Sequence, residues 1–215
     1  MRLPLALWTG FILAFAGLSY AGRATEGKPD PNVLYRWSTF AAYLIQYAVI
    51  ALIVWGIAGL GRRFELFALR RPLSWKRAAA IAVGIWIGMA ILAGVLGPFL
   101  HPGREQGLTP TRWEPVHAAA YVGNGILIAV LVPVIEELTF RGVGFSLLRR
   151  YGEWTAILLS GLLFGLAHGL VNALPLLVAF GVGLGYLRSR VDSVIPGVFV
   201  HGIFNAASLI FAVTN

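Results

Sequence analysis

Six positions carry side chains that could do chemistry in surroundings where charge is costly: Glu136, Glu137, Arg141, His168, His201 and Asn205. Each lies in or at the end of a long apolar run, where an ionised group costs at least ~2.5–3.5 kcal/mol and is by default functional. A carboxylate beside an imidazole can activate water as a general base when burial tunes both groups. A second imidazole and a carboxamide can donate hydrogen bonds to a developing oxyanion. Together they describe hydrolysis of a carbonyl compound inside a membrane. Glu136, His168 and His201 could instead hold zinc as a His₂Glu set, though without the HExxH spacing. Spacing alone does not distinguish the roles of the two carboxylates. The rival reading is a structural polar network that glues membrane helices together.

The whole chain suits such a setting. Of its 215 residues 58% are hydrophobic and 12% charged, and the mean hydropathy is +0.78, which places it in the membrane class. There is no cysteine, hence no disulfide, thiolate nucleophile or cysteine metal site. No Ser-His-Asp set and no phosphate-binding loop of the Walker type is apparent. The excess of 17 Lys+Arg over 9 Asp+Glu reads as topological charge in loops rather than as a nucleic-acid surface.

The apolar runs predict an all-α polytopic bundle of about seven transmembrane helices in one integral membrane domain, 1–215. Residues 1–115 supply the N-terminal helices and 116–215 the chemical core. The expected spans are Leu3–Ala21, Thr39–Leu60, Ala78–Leu100, a long helix from Val116 to as far as Leu148, a short Trp154–His168, Asn172–Leu187 and Val194–Val213. Leu3–Ala21 is read as a retained helix, against the alternative of a cleaved signal peptide. Phe64, Leu66, Phe67 and Leu69 lie between basic pairs, and this linker is expected to lie amphipathically on the membrane surface. Loops marked by Lys28-Pro29-Asp30-Pro31 and His101-Pro102-Gly103 punctuate the first half.

Seven crossings sort the charge. Arg2, Arg62, Arg63, Arg70, Arg71, Lys76, Arg77, Arg149, Arg150, Arg188 and Arg190 fall on one side; Arg23, Lys28, Arg36, Arg104 and Arg112 fall on the other. The richer side is cytoplasmic by the positive-inside rule, so the N-terminus faces the cytoplasm and the C-terminus the opposite side. Helical rise then sets depth. Glu136, His168 and Asn205 each stand ~20 Å from the arginine-rich face at 1.5 Å per residue, and His201 one turn nearer. The i, i+4 spacing puts His201 with Asn205, and lets Glu137 pair with Arg141.

Glu136-Glu137-x-x-Phe140-Arg141-Gly142, Phe164-x-x-x-His168 and His201-x-x-x-Asn205 resemble, in order, the three motifs of the CAAX prenyl protease family. That family also contains the bacterial bacteriocin-processing and abortive-infection (CPBP) proteins. The resemblance covers Val116 to the C-terminus. It implies a glutamate-dependent intramembrane endopeptidase of a bacterial cytoplasmic membrane, acting on a peptide or lipidated-protein substrate such as a prenylated CAAX terminus, with no cofactor. It further implies Glu136 as the base, His168 assisting, His201 and Asn205 stabilising the oxyanion, and Glu137 with Arg141 in support. Phe140 and Phe164 become candidate substrate contacts, ordinary packing being the equal reading of Phe164. A non-catalytic scaffold, an immunity protein or a transporter with Glu136 and His168 as proton relay are the alternatives.

Overall fold

The computed structural model describes residues 2–26, 30–60, 63–100, 105, 110 and 113–214. Lys28, Pro29, Arg62, His101, Pro102, Gly103, Arg104 and Arg112 lie outside them, as do the side chains of Arg63 and Phe64. Among the described residues eight helices make up the fold, besides a short 3-10 turn at Val33–Tyr35, and there is no strand. They are α1 (Arg2–Glu26), α2 (Trp37–Gly59), α3 (Arg63–Phe67), α4 (Trp75–Leu100), α5 (Pro115–Tyr151), α6 (Glu153–Ala167), α7 (Leu174–Val191) and α8 (Ile195–Thr214). Six of these are long and apolar enough to cross a bilayer. The expectation of about seven counts α6 as well, an apolar helix that at 15 residues is shorter than the other six.

The outward surface is that of a protein dissolved in hydrocarbon. On α4, Val83, Ile87, Ile91 and Val95 recur every four residues and are all more than half exposed. Water would leave such a stripe uncovered at great cost, whereas lipid tails are equally apolar.

The centre is held by close backbone approach. α6 and α7 each carry small residues four apart, Gly161/Gly165 and Gly181/Gly185, the spacing that lets membrane helices pack backbone to backbone. A Cβ on Gly181 would stand 2.7 Å from the Gly161 carbonyl oxygen. Gly181→Ala is therefore expected to destabilise the protein by about 1–3 kcal/mol, the usual cost of overpacking. Thermal unfolding in detergent checks it.

The arginine-rich ends of the helices meet around Asp192, which takes a left-handed conformation (φ 53°) between α7 and α8. Its carboxylate receives Arg70 at 2.7 Å, Arg188 at 2.8 Å and Arg149 at 3.4 Å. Main-chain bonds from Leu73 to Val191 (2.9 Å) and from Val194 to Ala68 (3.2 Å) complete the joint. The linker after α2 is thus docked into the bundle rather than spread on the surface. Leu66 and Phe67 are buried while Leu69 stays exposed, and Ser146 donates to the Leu66 carbonyl at 2.9 Å. Burial opposes the charge on Asp192, but the hydrogen bonds and charges of Arg70 and Arg188 outweigh it and hold its carboxyl below the ordinary 3.8. A depressed carboxylate stabilises the fold above its unfolded value and loses that contribution as pH falls through the folded one. Melting from about pH 6 to about pH 3 should show a steeper acid loss in the wild type than in Asp192→Asn.

Candidate active site

Glu136 and Glu137 sit between two π-helical stretches of α5, Leu127–Leu131 and Leu138–Gly144. The first has a local cause in Pro133, which lacks an N–H and whose ring collides with the carbonyl four residues back. Such wider turns disturb the regular ladder, are frequent at functional sites, and here offer main-chain carbonyls to side chains. Asn205 donates to Ile128 O at 3.0 Å, Trp8 to Thr139 O at 3.0 Å and Arg188 to Arg141 O at 3.2 Å. Helices α8, α1 and α7 are thereby tied to the element that carries the two glutamates.

Consecutive residues point ~100° apart around a helix, so the two carboxylates enter different surroundings. Glu137 is fully buried. Its Oε1 accepts from Arg141 at 2.9 Å and faces His201 Nδ1 at 3.3 Å. Arg141, also fully buried, donates to Gly181 O at 2.8 Å and lies 4.4 Å over the Phe164 ring. A Cβ on Gly197 would meet Glu137 Oε2 at 2.7 Å, so a larger residue on α8 there would displace this carboxylate.

Glu136 faces open space. Its Oε1 accepts from the Tyr47 hydroxyl of α2 at 2.6 Å. Its Oε2 has no hydrogen-bond partner although buried, and stands 3.6 Å from His201 Nε2, beyond hydrogen-bond length. His201 therefore bridges the two carboxylates, one ring nitrogen toward each. His168, just past α6, donates from Nδ1 to Phe164 O at 2.7 Å, which in the neutral ring leaves Nε2 as an acceptor.

Two cavities, of about 640 and 550 Å³, run past this group. Both are lined by Arg23, Tyr43, Gln46, Tyr47, Glu136 and His168. His201 and Asn205 line the second. The structure thus brings together all four residues expected to do chemistry, with Glu137 and Arg141 behind them. Phe164 is 1% exposed and packs edge-on against His168, His201 and Phe140. It touches the second cavity and Phe140 the first, so both combine packing with lining. Among the described residues no three His, Asp or Glu side chains converge as metal ligands, Glu136, His168 and His201 included.

Tyr47 and Gly197 were not visible as site residues in the sequence. The available signals were a phenol ten residues into an apolar helix, and a glycine one turn before His201 on the same face.

Residues 118–207 match the family model described as Rce1-like, type II CAAX prenyl endopeptidase. The match spans 90 of the 215 residues. It contains every motif residue of the site, whereas Tyr47 and Arg23, which also line the cavities, come from helices outside it. Neither a curated protein nor a solved structure matches the chain.

Proposed function

We propose that the chain is an intramembrane endopeptidase that hydrolyses a peptide bond near a membrane-associated, CAAX-type C-terminus with water activated by Glu136. The observation that carries this reading is Glu136 Oε2, a buried carboxylate oxygen without a partner, in a cavity shared with His168 and 3.6 Å from His201. Water at Oε2, steadied by His168 Nε2, gives its proton to Glu136 as its oxygen attacks the carbonyl. A ring N–H of His201 and the second amide N–H of Asn205 donate to the oxyanion, since the first N–H of Asn205 is used on Ile128 O. The proton on Glu136 then passes to the leaving amine. Glu137 and Arg141 hold His201 and the helix in place.

Tyr47 holds Oε1, so the other oxygen is the one presented to water. Tyr47→Phe is expected to lower kcat by about 10- to 100-fold with little change in KM, as a hydrogen bond to a charged group contributes ~1.5–3 kcal/mol. Steady-state cleavage kinetics of the folded variant check it.

The clustering of arginines around Asp192 supports a cytoplasmic N-terminus and a C-terminus on the opposite side of the membrane, proposed to be a bacterial cytoplasmic membrane. Purified protein in liposomes, given a prenylated CAAX peptide and a set of membrane peptides, tests the reaction. Two fragments unaffected by chelator are expected. No cleavage of any peptide sinks the protease reading, and chelator-sensitive cleavage sinks the metal-free mechanism alone.

A further inference from the structure

Both cavities also pass Arg23, the basic residue in the last turn of α1. One guanidinium N–H donates to the main-chain carbonyl of Glu105 at 2.9 Å. The Glu105 carboxylate is committed elsewhere, accepting from the main-chain N–H groups of Val171, Asn172 and Ala173 at 2.6, 2.8 and 3.1 Å. A guanidinium has five N–H donors in a fork that matches a carboxylate. It is charged at every working pH. Among the described residues lining these cavities Arg23 is the one arginine or lysine, and it shares them with Glu136.

The arrangement along the cavity follows α2. Tyr47 touches Glu136, and Tyr43 lies one turn away, ~6 Å along the helix, within electrostatic reach of Arg23. The cation therefore shares one continuous lining with the Glu136 carboxylate, with Tyr43 and Tyr47 of α2 beside it. Gln46 and Tyr43 line the path between with neutral polar groups.

We propose that Arg23, flanked by Tyr43 and Gln46, binds the free α-carboxylate at the end of the substrate chain and so sets the cleaved bond a short, fixed distance from that end. The proposal deepens the protease reading and rests on it for the identity of the occupant. It places the ruler in α1 and α2, while the reacting groups lie on α5, α6 and α8.

Binding separates the two ideas. The Glu136→Gln protein in lipid nanodiscs is titrated with one fluorescent membrane peptide in three forms: free C-terminal acid, C-terminal amide, and an amide ending in aspartate. The acid is expected to bind about 10-fold or more tightly than the amide, the usual worth of a charge-assisted hydrogen bond. Arg23→Gln should abolish that ratio and Arg23→Lys retain part of it, which a merely structural role would not do. Equal binding of acid and amide overturns the proposal without needing any Arg23 variant. A ratio that survives Arg23→Gln also overturns it, as does an aspartyl amide that binds like the acid. An acid preference in a wild-type protein that cleaves none of the peptides would sustain the subsite and remove the protease reading.

Discussion

Glu136→Gln is expected to lower peptide cleavage by about 10²- to 10⁴-fold, the range for loss of a general base, and to leave the melting temperature close to that of the wild type. The two halves of this expectation come from the same geometry. The amide keeps an acceptor for the Tyr47 hydroxyl, now 2.6 Å from Oε1, and nothing bonds the other oxygen. No structural hydrogen bond is removed, yet the group can no longer take a proton from water. A variant that melts as the wild type does but cleaves at its full rate would show that Glu136 does no chemistry. Rate assays and differential scanning in the same detergent decide between these outcomes.

Arg141→Ala is expected to act through stability. Arg141 and Glu137 are both fully buried and 2.9 Å apart. Removing one partner of such a pair strands the other charge and typically costs ~3–5 kcal/mol. The guanidinium also closes the Gly181 carbonyl and covers Phe164, and neither contact survives truncation. Replacing both residues together, Glu137→Gln with Arg141→Met, leaves no stranded charge and should cost less than Arg141→Ala alone. Thermal unfolding of the two variants measures the difference. A loss below about 1 kcal/mol in Arg141→Ala would contradict the role given to the pair.

The charges were legible in the sequence because ionisable side chains are rare in apolar runs. Helical rise alone put Glu136, His168, His201 and Asn205 at similar depth, and they do share a cavity. Depth does not give the angle around a helix. His201 is therefore the imidazole whose contact to Glu136 is seen, at 3.6 Å, while His168 is tied to Phe164 O. The π-helical stretches on either side of the glutamates change that angle relative to a regular helix, and Pro133 was the sequence signal of the first. Tyr47 and Arg23 were illegible for another reason. A phenol in a span, or an arginine near its end, is ordinary in membrane helices, so neither stands out until the fold brings it to Glu136. The α3 linker misled through its pattern. Phe64, Leu66, Phe67 and Leu69 suggest a helix lying on lipid, but a Cβ on Gly142 would come within 3.2 Å of the Phe67 backbone. α5 offers the linker a slot at that glycine, which residue periodicity cannot reveal.

The central claim is that Glu136 activates water for peptide hydrolysis in this cavity. Mass spectrometry of the products formed by wild type and Glu136→Gln, side by side on the same prenylated CAAX peptide and membrane-peptide set, tests it most directly. The account predicts paired fragments ending at one bond near the C-terminus with wild type, and intact peptide with Glu136→Gln. The same fragments at the same rate from both proteins would contradict it.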